Sequence, residues 1–153
     1  TQEPNTRKNC NGVLFQCSEV KQSELIYGGS NTILLGEKSV NINSYTDGTD
    51  PNDSQCMYSG FSRDTLRSTG YDQGSGGNPN ATGWPPVRDR AFTNTTSPDP
   101  VFGSAHWSTA NFVFCDGSTR AISYSVDPLT FYNLGLARGR YHRRVEGAPP
   151  LAE

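Results

Sequence analysis

The sequence predicts a mainly β domain, α+β at most: an antiparallel sheet with long irregular loops and one short C-terminal helix. Three observations carry this expectation. The apolar runs are short, rich in β-branched and aromatic residues, and bounded by Gly, Asn, Asp and Ser. A chain with 16 Gly, 10 Pro and only 33% hydrophobic residues must spend much of its length in turns and loops. Two β-prone runs, "NFVFC" and "TRAISYS", flank Asp116-Gly117, and Asp-Gly is the strongest short-range signal for a β-hairpin. With 153 residues the chain suits one domain able to bury a core, expected over residues 1–137, followed by a basic, Pro-containing tail over 138–153.

Taken in order, the first candidate strand is "GVLFQCS", residues 12–18, after the turn-like "NCNG". Gly28-Gly29 then breaks the chain before "NTILLGEKSV", where Ile33, Leu34 and Leu35 form a short apolar run suited to a buried strand. From Asn41 to Pro100 the pattern turns to loop chemistry, with "TDGTDPND", "YDQGSGGNPNATGWPP" and "NTTSPDP"; "QCMYSGF" at 55–61 is a weaker strand candidate. Trp84, beside Pro85 and Pro86, is expected to pack back on the body, because an indole left in water wastes apolar area. A type I′ turn at Asp116-Gly117 would pair Cys115 with Ser118, Phe114 with Thr119, Val113 with Arg120 and Phe112 with Ala121. Phe112 and Phe114 then share the core face. Next, "SVDPLTFYNLGLA" offers Asp127 as N-cap and Pro128 at N1, with Leu129, Tyr132 and Leu136 at near-helical spacing.

Charge and cysteine content narrow the classes. A net charge of -2 gives no field that argues for nucleic acid or a broad anionic membrane surface. Four of the 13 Lys and Arg, Arg138, Arg140, Arg143 and Arg144, stand in "RGRYHRR"; this is a solvated tail or a partner-binding patch. No apolar stretch approaches the roughly 18 residues that span a bilayer, and Thr1 opens no signal peptide. The chain is therefore expected to be soluble as it stands, and to be a processed or truncated part of a longer exported protein. Cys10, Cys17, Cys56 and Cys115 form no CxxC pair and no zinc-finger spacing. They allow two disulfides in any of three connectivities, while a buried free thiol is the alternative for Cys115.

His106, nine intervening residues and Asp116-Gly117 form an H-X9-DG pattern, with "FGSAH" before it, "DGSTRAISYSVDP" after it and "GGSNTILLGEK" upstream. Together, over about half of the chain, these stretches resemble the DUF1559 proteins, described as prepilin-type, processing-associated domains. Members of that family usually begin with a type IV prepilin-like leader and a long hydrophobic helix, absent here, so the chain resembles the carboxy-terminal, extracytoplasmic half of such a protein. After the histidine the family often has Pro-Gly-Gly-like residues, where this chain has Trp107, Ser108 and Thr109. The resemblance implies a pseudopilin-like globular domain without its N-terminal helix, with no enzymatic activity attached.

Each chemical candidate has a plainer alternative. Ser104, His106 and Asp116 can be written as a hydrolase triad, but no GxSxG elbow or oxyanion hole accompanies them. The only other histidine is His142, in the tail, so a two-histidine metal site is not expected. The favoured reading of His106 is a loop anchor that donates to one group and accepts from another. Asp116 and Gly117 read first as turn residues. Asp47, Asp50, Asn52 and Asp53, in "DGTDPND", are either calcium ligands or a solvated Asx-rich turn; the loop is no EF-hand. "GGS" and "GSGG" lack the Lys-Ser/Thr of a phosphate loop. Sequons at Asn52, Asn80 and Asn94 carry no expected glycans.

The expected function is that of a non-enzymatic, extracytoplasmic structural or interaction protein, in the periplasm, on the cell surface or outside the cell. It would join other protein subunits in a filament, a secretion apparatus or a larger complex, and meet a membrane only through the absent helix. The alternative is a calcium- or glycan-binding module, with Trp84, Trp107 and exposed tyrosines as stacking platforms.

Overall fold

The computed structural model describes residues 11–15, 18–50, 52–56, 58–60, 62, 64–71, 82–91 and 101–137. Among the described residues seven strands, β1 (Ile33–Gly36), β2 (Gly70–Tyr71), β3 (Thr82–Gly83), β4 (Val87–Arg88), β5 (Gly103–Ser104), β6 (Thr109–Phe114) and β7 (Thr119–Ser123), precede one α-helix, α1 (Pro128–Leu134), with short 3-10 turns at Gln22–Glu24, Gly29–Asn31 and Ile42–Ser44. The body is an antiparallel three-stranded sheet in the order β1-β6-β7. β2 pairs antiparallel with β3, and β4 pairs parallel with β5. The fold is mainly β with a short C-terminal helix, as the turn-rich composition implies. Among the described residues no helix is long and apolar enough to cross a membrane.

The core forms where the alternation of β6 is strongest. Ala110, Phe112 and Phe114 face inward, and Thr109, Asn111 and Val113 lie half-buried on the other face. Period-two alternation dictates this split. Phe112 meets Phe102 edge-to-face at 5.2 Å and Phe131 of α1 at 5.5 Å, and Phe102 and Phe131 close the triangle at 6.1 Å. Such arrangements satisfy the ring quadrupoles while burying large apolar area. Ile33 completes the cluster, and Ile122, Tyr124, Val126 and Leu134 pack against it. Gly36 is required here, because a Cβ would meet the rings of Phe112 and Phe102.

The hairpin turns one residue differently from a type I′ register. Val113 pairs with Thr119 and Phe112 with Arg120. Gly117 N–H donates to Phe114 C=O (2.9 Å), Phe114 N–H donates to Ser118 C=O (2.9 Å), and Gly117 takes φ 83°. This is a three-residue loop closed by a left-handed glycine, which Asp-Gly serves as well as the two-residue turn. The difference matters on β7, where the slip places Ile122 opposite Ala110 on the core face. Phe112 and Phe114 share the buried face as expected, since β6 itself sets that.

Other elements correct the sequence reading. Residues 12–15 and Ser18 form bends and irregular backbone rather than a strand. Ser18 N–H closes a turn onto Phe15 C=O, and Asn11 C=O accepts from Ala137 N–H, so this segment straps the chain beyond α1 and joins no ladder. Within 55–61, Ser59 N–H closes a turn onto Cys56 C=O and Gly60 takes φ 83°, so the segment turns rather than extending as a strand. The Ile33–Leu35 run is an edge strand: Ile33 is buried opposite Phe114, but Leu35 lies opposite Val113 on the outer face and is 53% exposed, with no strand beyond it among the described residues. In α1 the Asp127 carboxylate caps Thr130 N–H at 2.8 Å with Pro128 in the first turn, as read from the sequence. The buried face, however, is Phe131 and Tyr132; Leu129 is exposed, and Leu136 is buried beyond the helix end. Trp84 is half-buried beside the fully buried Pro86, and its backbone N–H donates to Thr69 C=O at 2.8 Å.

Candidate functional site

The H-X9-DG residues fall at opposite ends of β6. Asp116 and Gly117 make the hairpin turn, where Asp116 Oδ1 accepts Ser118 N–H at 2.8 Å. Hydrogen bonding from Ser118 holds the Asp116 carboxyl below the usual carboxylate range. Ser104 and His106 stand before β6, and a six-residue strand at about 3.4 Å per residue, roughly 20 Å in all, lies between them and Asp116. The triad written from sequence is therefore not assembled. Ser104 is buried, and its Oγ already accepts His106 N–H (3.1 Å), donates to Thr109 C=O (2.9 Å) and contacts Tyr124 Oη (2.9 Å).

His106 finds its partners in a residue the sequence reading left without a role. Glu37, directly after β1, sends Oε2 to the backbone N–H of Asn111 at 2.7 Å and Oε1 to within 3.4 Å of His106 Nε2. Asn111 Nδ2 approaches the same Nε2 at 3.3 Å. One ring nitrogen serves these neighbours in alternation: carrying a proton it donates to Glu37, and without one it accepts from Asn111. The ring is no buried anchor, since the side chain is 57% exposed, and the loop is pinned by the backbone instead. Tyr124 Oη donates to His106 C=O at 3.0 Å, while Ser104 holds His106 N–H.

The two quoted stretches thus converge: "GGSNTILLGEK" contributes Glu37, and H-X9-DG contributes His106 and Asn111. The Gly-Glu-Lys that ends an apolar run was the available signal. Beside this cluster, Trp107 is exposed with the Arg88 guanidinium 4.3 Å over its ring centroid.

The acidic loop after β1 is turned towards donors of the protein itself. Asp50 is 2% exposed, and it accepts Asn41 N–H through Oδ2 (3.0 Å) and Asn52 N–H through Oδ1 (2.9 Å). Asp47 accepts the backbone N–H and hydroxyl of Thr49, which hold its carboxyl below the usual range. Asp53 forms an ion pair with Lys38, whose ammonium also donates to Asn52 C=O and Asp64 C=O, both at 3.3 Å. Asn52 is buried, and its C=O accepts from Arg67 as well (3.2 Å). Burial pulls Arg67 down, against the opposing charges of Asp64, Asp50 and Asp53. Asp47, Asp50, Asn52 and Asp53 are therefore not gathered round one point, and among the described residues no three His, Cys, Asp or Glu side chains form a group able to hold a metal.

Cys56 is an exposed free thiol and Cys115 a half-buried one, which burial and then the Asp116 charge push up. Cys10, Cys17 and the arginines at 138, 140, 143 and 144 lie outside the described residues. A shallow depression of about 260 Å³ lined by Tyr27, Asn31, Thr130, Asn133 and Leu134 contains none of the motif residues.

No curated protein and no solved structure matches the chain. A family model described as "Protein of unknown function (DUF1559)" matches residues 1–129, a span that contains Glu37, His106, Asn111 and the Asp116-Gly117 turn. With the match extending over most of the 153 residues, the chain belongs to the DUF1559 family.

Proposed function

We propose that this chain is a non-enzymatic structural or interaction protein, a pseudopilin-like subunit working outside the cytoplasm in a surface filament, a secretion apparatus or a larger complex. The observation that carries the reading is the outer face of the three-stranded sheet. Leu35, Val113 and Thr119 form one row across it, with Ala121 beside them, all exposed or half-buried. Both edges, β1 and β7, lack a further strand among the described residues. An open face between two open edges is the kind of surface that neighbouring subunits cover. In support, Asp116 and Gly117 serve to close the hairpin, Glu37 ties β1 to β6 through Asn111 N–H, and Ser104, His106 and Asp116 do not converge on a reacting centre.

The test uses the full-length gene product in its own cells. Cross-linking and protease treatment of intact cells should give higher-order species accessible from outside. Leu35→Lys should disperse those species while leaving the thermal unfolding of the purified chain unchanged. A monomer at every concentration, shielded from protease in intact cells, would overturn the reading.

A further inference from the structure

Trp107 is 81% exposed, yet it is held in place from two sides. Arg88 covers one ring face at 4.3 Å and is itself fixed in β4, opposite Ser104 of β5. The backbone entering Trp107 is pinned by His106 N–H on Ser104 Oγ and by Tyr124 Oη on His106 C=O. An aromatic side chain on a surface loop normally loses rotamer freedom when something binds to it; here part of that ordering is complete beforehand. With one face occupied by the cation, the high exposure leaves the opposite face to solvent.

The surroundings select the chemistry of an occupant. A protein hot spot is ringed by groups that exclude water, whereas Ala105, His106, Ser108 and Arg88 around this indole are all exposed. The next residue back carries the Glu37–His106–Asn111 cluster, Cα atoms of consecutive residues being about 3.8 Å apart. That cluster presents a carboxylate acceptor, an amide donor and an imidazole able to do either. Glu37 opposes an anion and Arg88 opposes a cation. A neutral molecule with a flat C–H face and several hydroxyls satisfies every one of these features.

We propose that Trp107 is a stacking platform for a neutral carbohydrate, one pyranose ring lying on the indole face opposite Arg88 and its hydroxyls reaching Glu37, His106 and Asn111. This goes beyond the assembly reading and does not depend on it. Chitotriose and cellotriose are the probes, titrated into the purified chain by calorimetry and followed by tryptophan emission. Trp84→Phe leaves Trp107 as the one remaining indole of the two. In that variant one probe should produce a saturable emission shift with a dissociation constant roughly in the millimolar range. Trp107→Ala, at an exposed position that leaves thermal unfolding unchanged, should weaken binding about tenfold or more, and Arg88→Ala should weaken it less. The proposal fails if neither probe gives heat or an emission shift, or if Trp107→Ala binds undiminished. It also fails if the indole emission follows protein concentration without sugar, which would mark a contact between copies.

Discussion

Glu37 accepts the backbone N–H of Asn111 at 2.7 Å although the two residues stand 74 positions apart. In return Glu37 N–H donates to Asn111 C=O at 3.1 Å, so a side chain closes one half of a ladder step that backbone normally closes. Glu37→Ala leaves that N–H without an acceptor, and urea unfolding should show a loss within the roughly 1–3 kcal/mol range for such groups, towards its lower end because the Glu37 side chain is 37% exposed. Glu37→Gln keeps an acceptor and should lose less.

Gly117 turns the hairpin at φ 83°. Alanine there should cost about 1–2 kcal/mol, the usual penalty for a Cβ in left-handed backbone. Asparagine, which visits this region more readily, should cost less, and valine more. Denaturant midpoints of the three variants give the ranking; equal midpoints would contradict the turn geometry.

Phe131 carries α1 onto the sheet by closing the triangle with Phe102 and Phe112. Phe131→Ala should destabilise the domain by about 3–5 kcal/mol in urea unfolding, with Phe131→Leu well below that. A cost under about 1 kcal/mol would mean that α1 is peripheral to the cooperative unit.

Asp50 satisfies two buried N–H groups, those of Asn41 and Asn52. Asp50→Ala should cost about 1–3 kcal/mol for each group left unpaired. Asp50→Asn retains one acceptor oxygen and should fall between. Hydrogen exchange should locate the loss at the amides of Asn41 and Asn52.

Two groups predict pH dependence at opposite ends of the scale. The backbone N–H and then the hydroxyl of Thr130 hold Asp127 below the usual carboxylate range. Its contribution is present above the unfolded value of about 3.9 and is lost as pH falls through the lower folded value. Asp127→Asn, still a good cap, should flatten the acid limb of stability and leave neutral stability nearly unchanged. Tyr45 behaves oppositely: partial burial of its hydroxyl, then the hydrogen bond to Asp89 at 2.6 Å, push it up to about 12. That contribution is present below the unfolded value of about 10 and is lost as pH rises through about 12. Thermal unfolding followed across pH, with Tyr45→Phe as control, checks both limbs.

Features written in neighbouring residues could be read without the fold. Asp127 beside Pro128 announces a helix start because a capping carboxylate needs only the N–H groups that follow it. Alternating Ala110, Phe112 and Phe114 declare their common face because a strand repeats every two residues. Asp-Gly declares a turn, but not whether two or three residues close it, and that single residue decided whether Ile122 met the core. Leu35 read as buried because an apolar run does not reveal that it lies at an edge.

By itself, then, the sequence determined the β-rich class, the hairpin, the capped helix and the kinship carried by H-X9-DG, all properties of short-range backbone chemistry and pattern. Only the tertiary structure decided that Glu37 meets His106 and Asn111, that Asp53 pairs with Lys38, and that Trp107 stands in water with Arg88 against one face. Those pairings join residues far apart in the chain, and each depends on which strand lies beside which. Composition and periodicity do not encode that neighbourhood; burying Phe102, Phe112 and Phe131 together creates it.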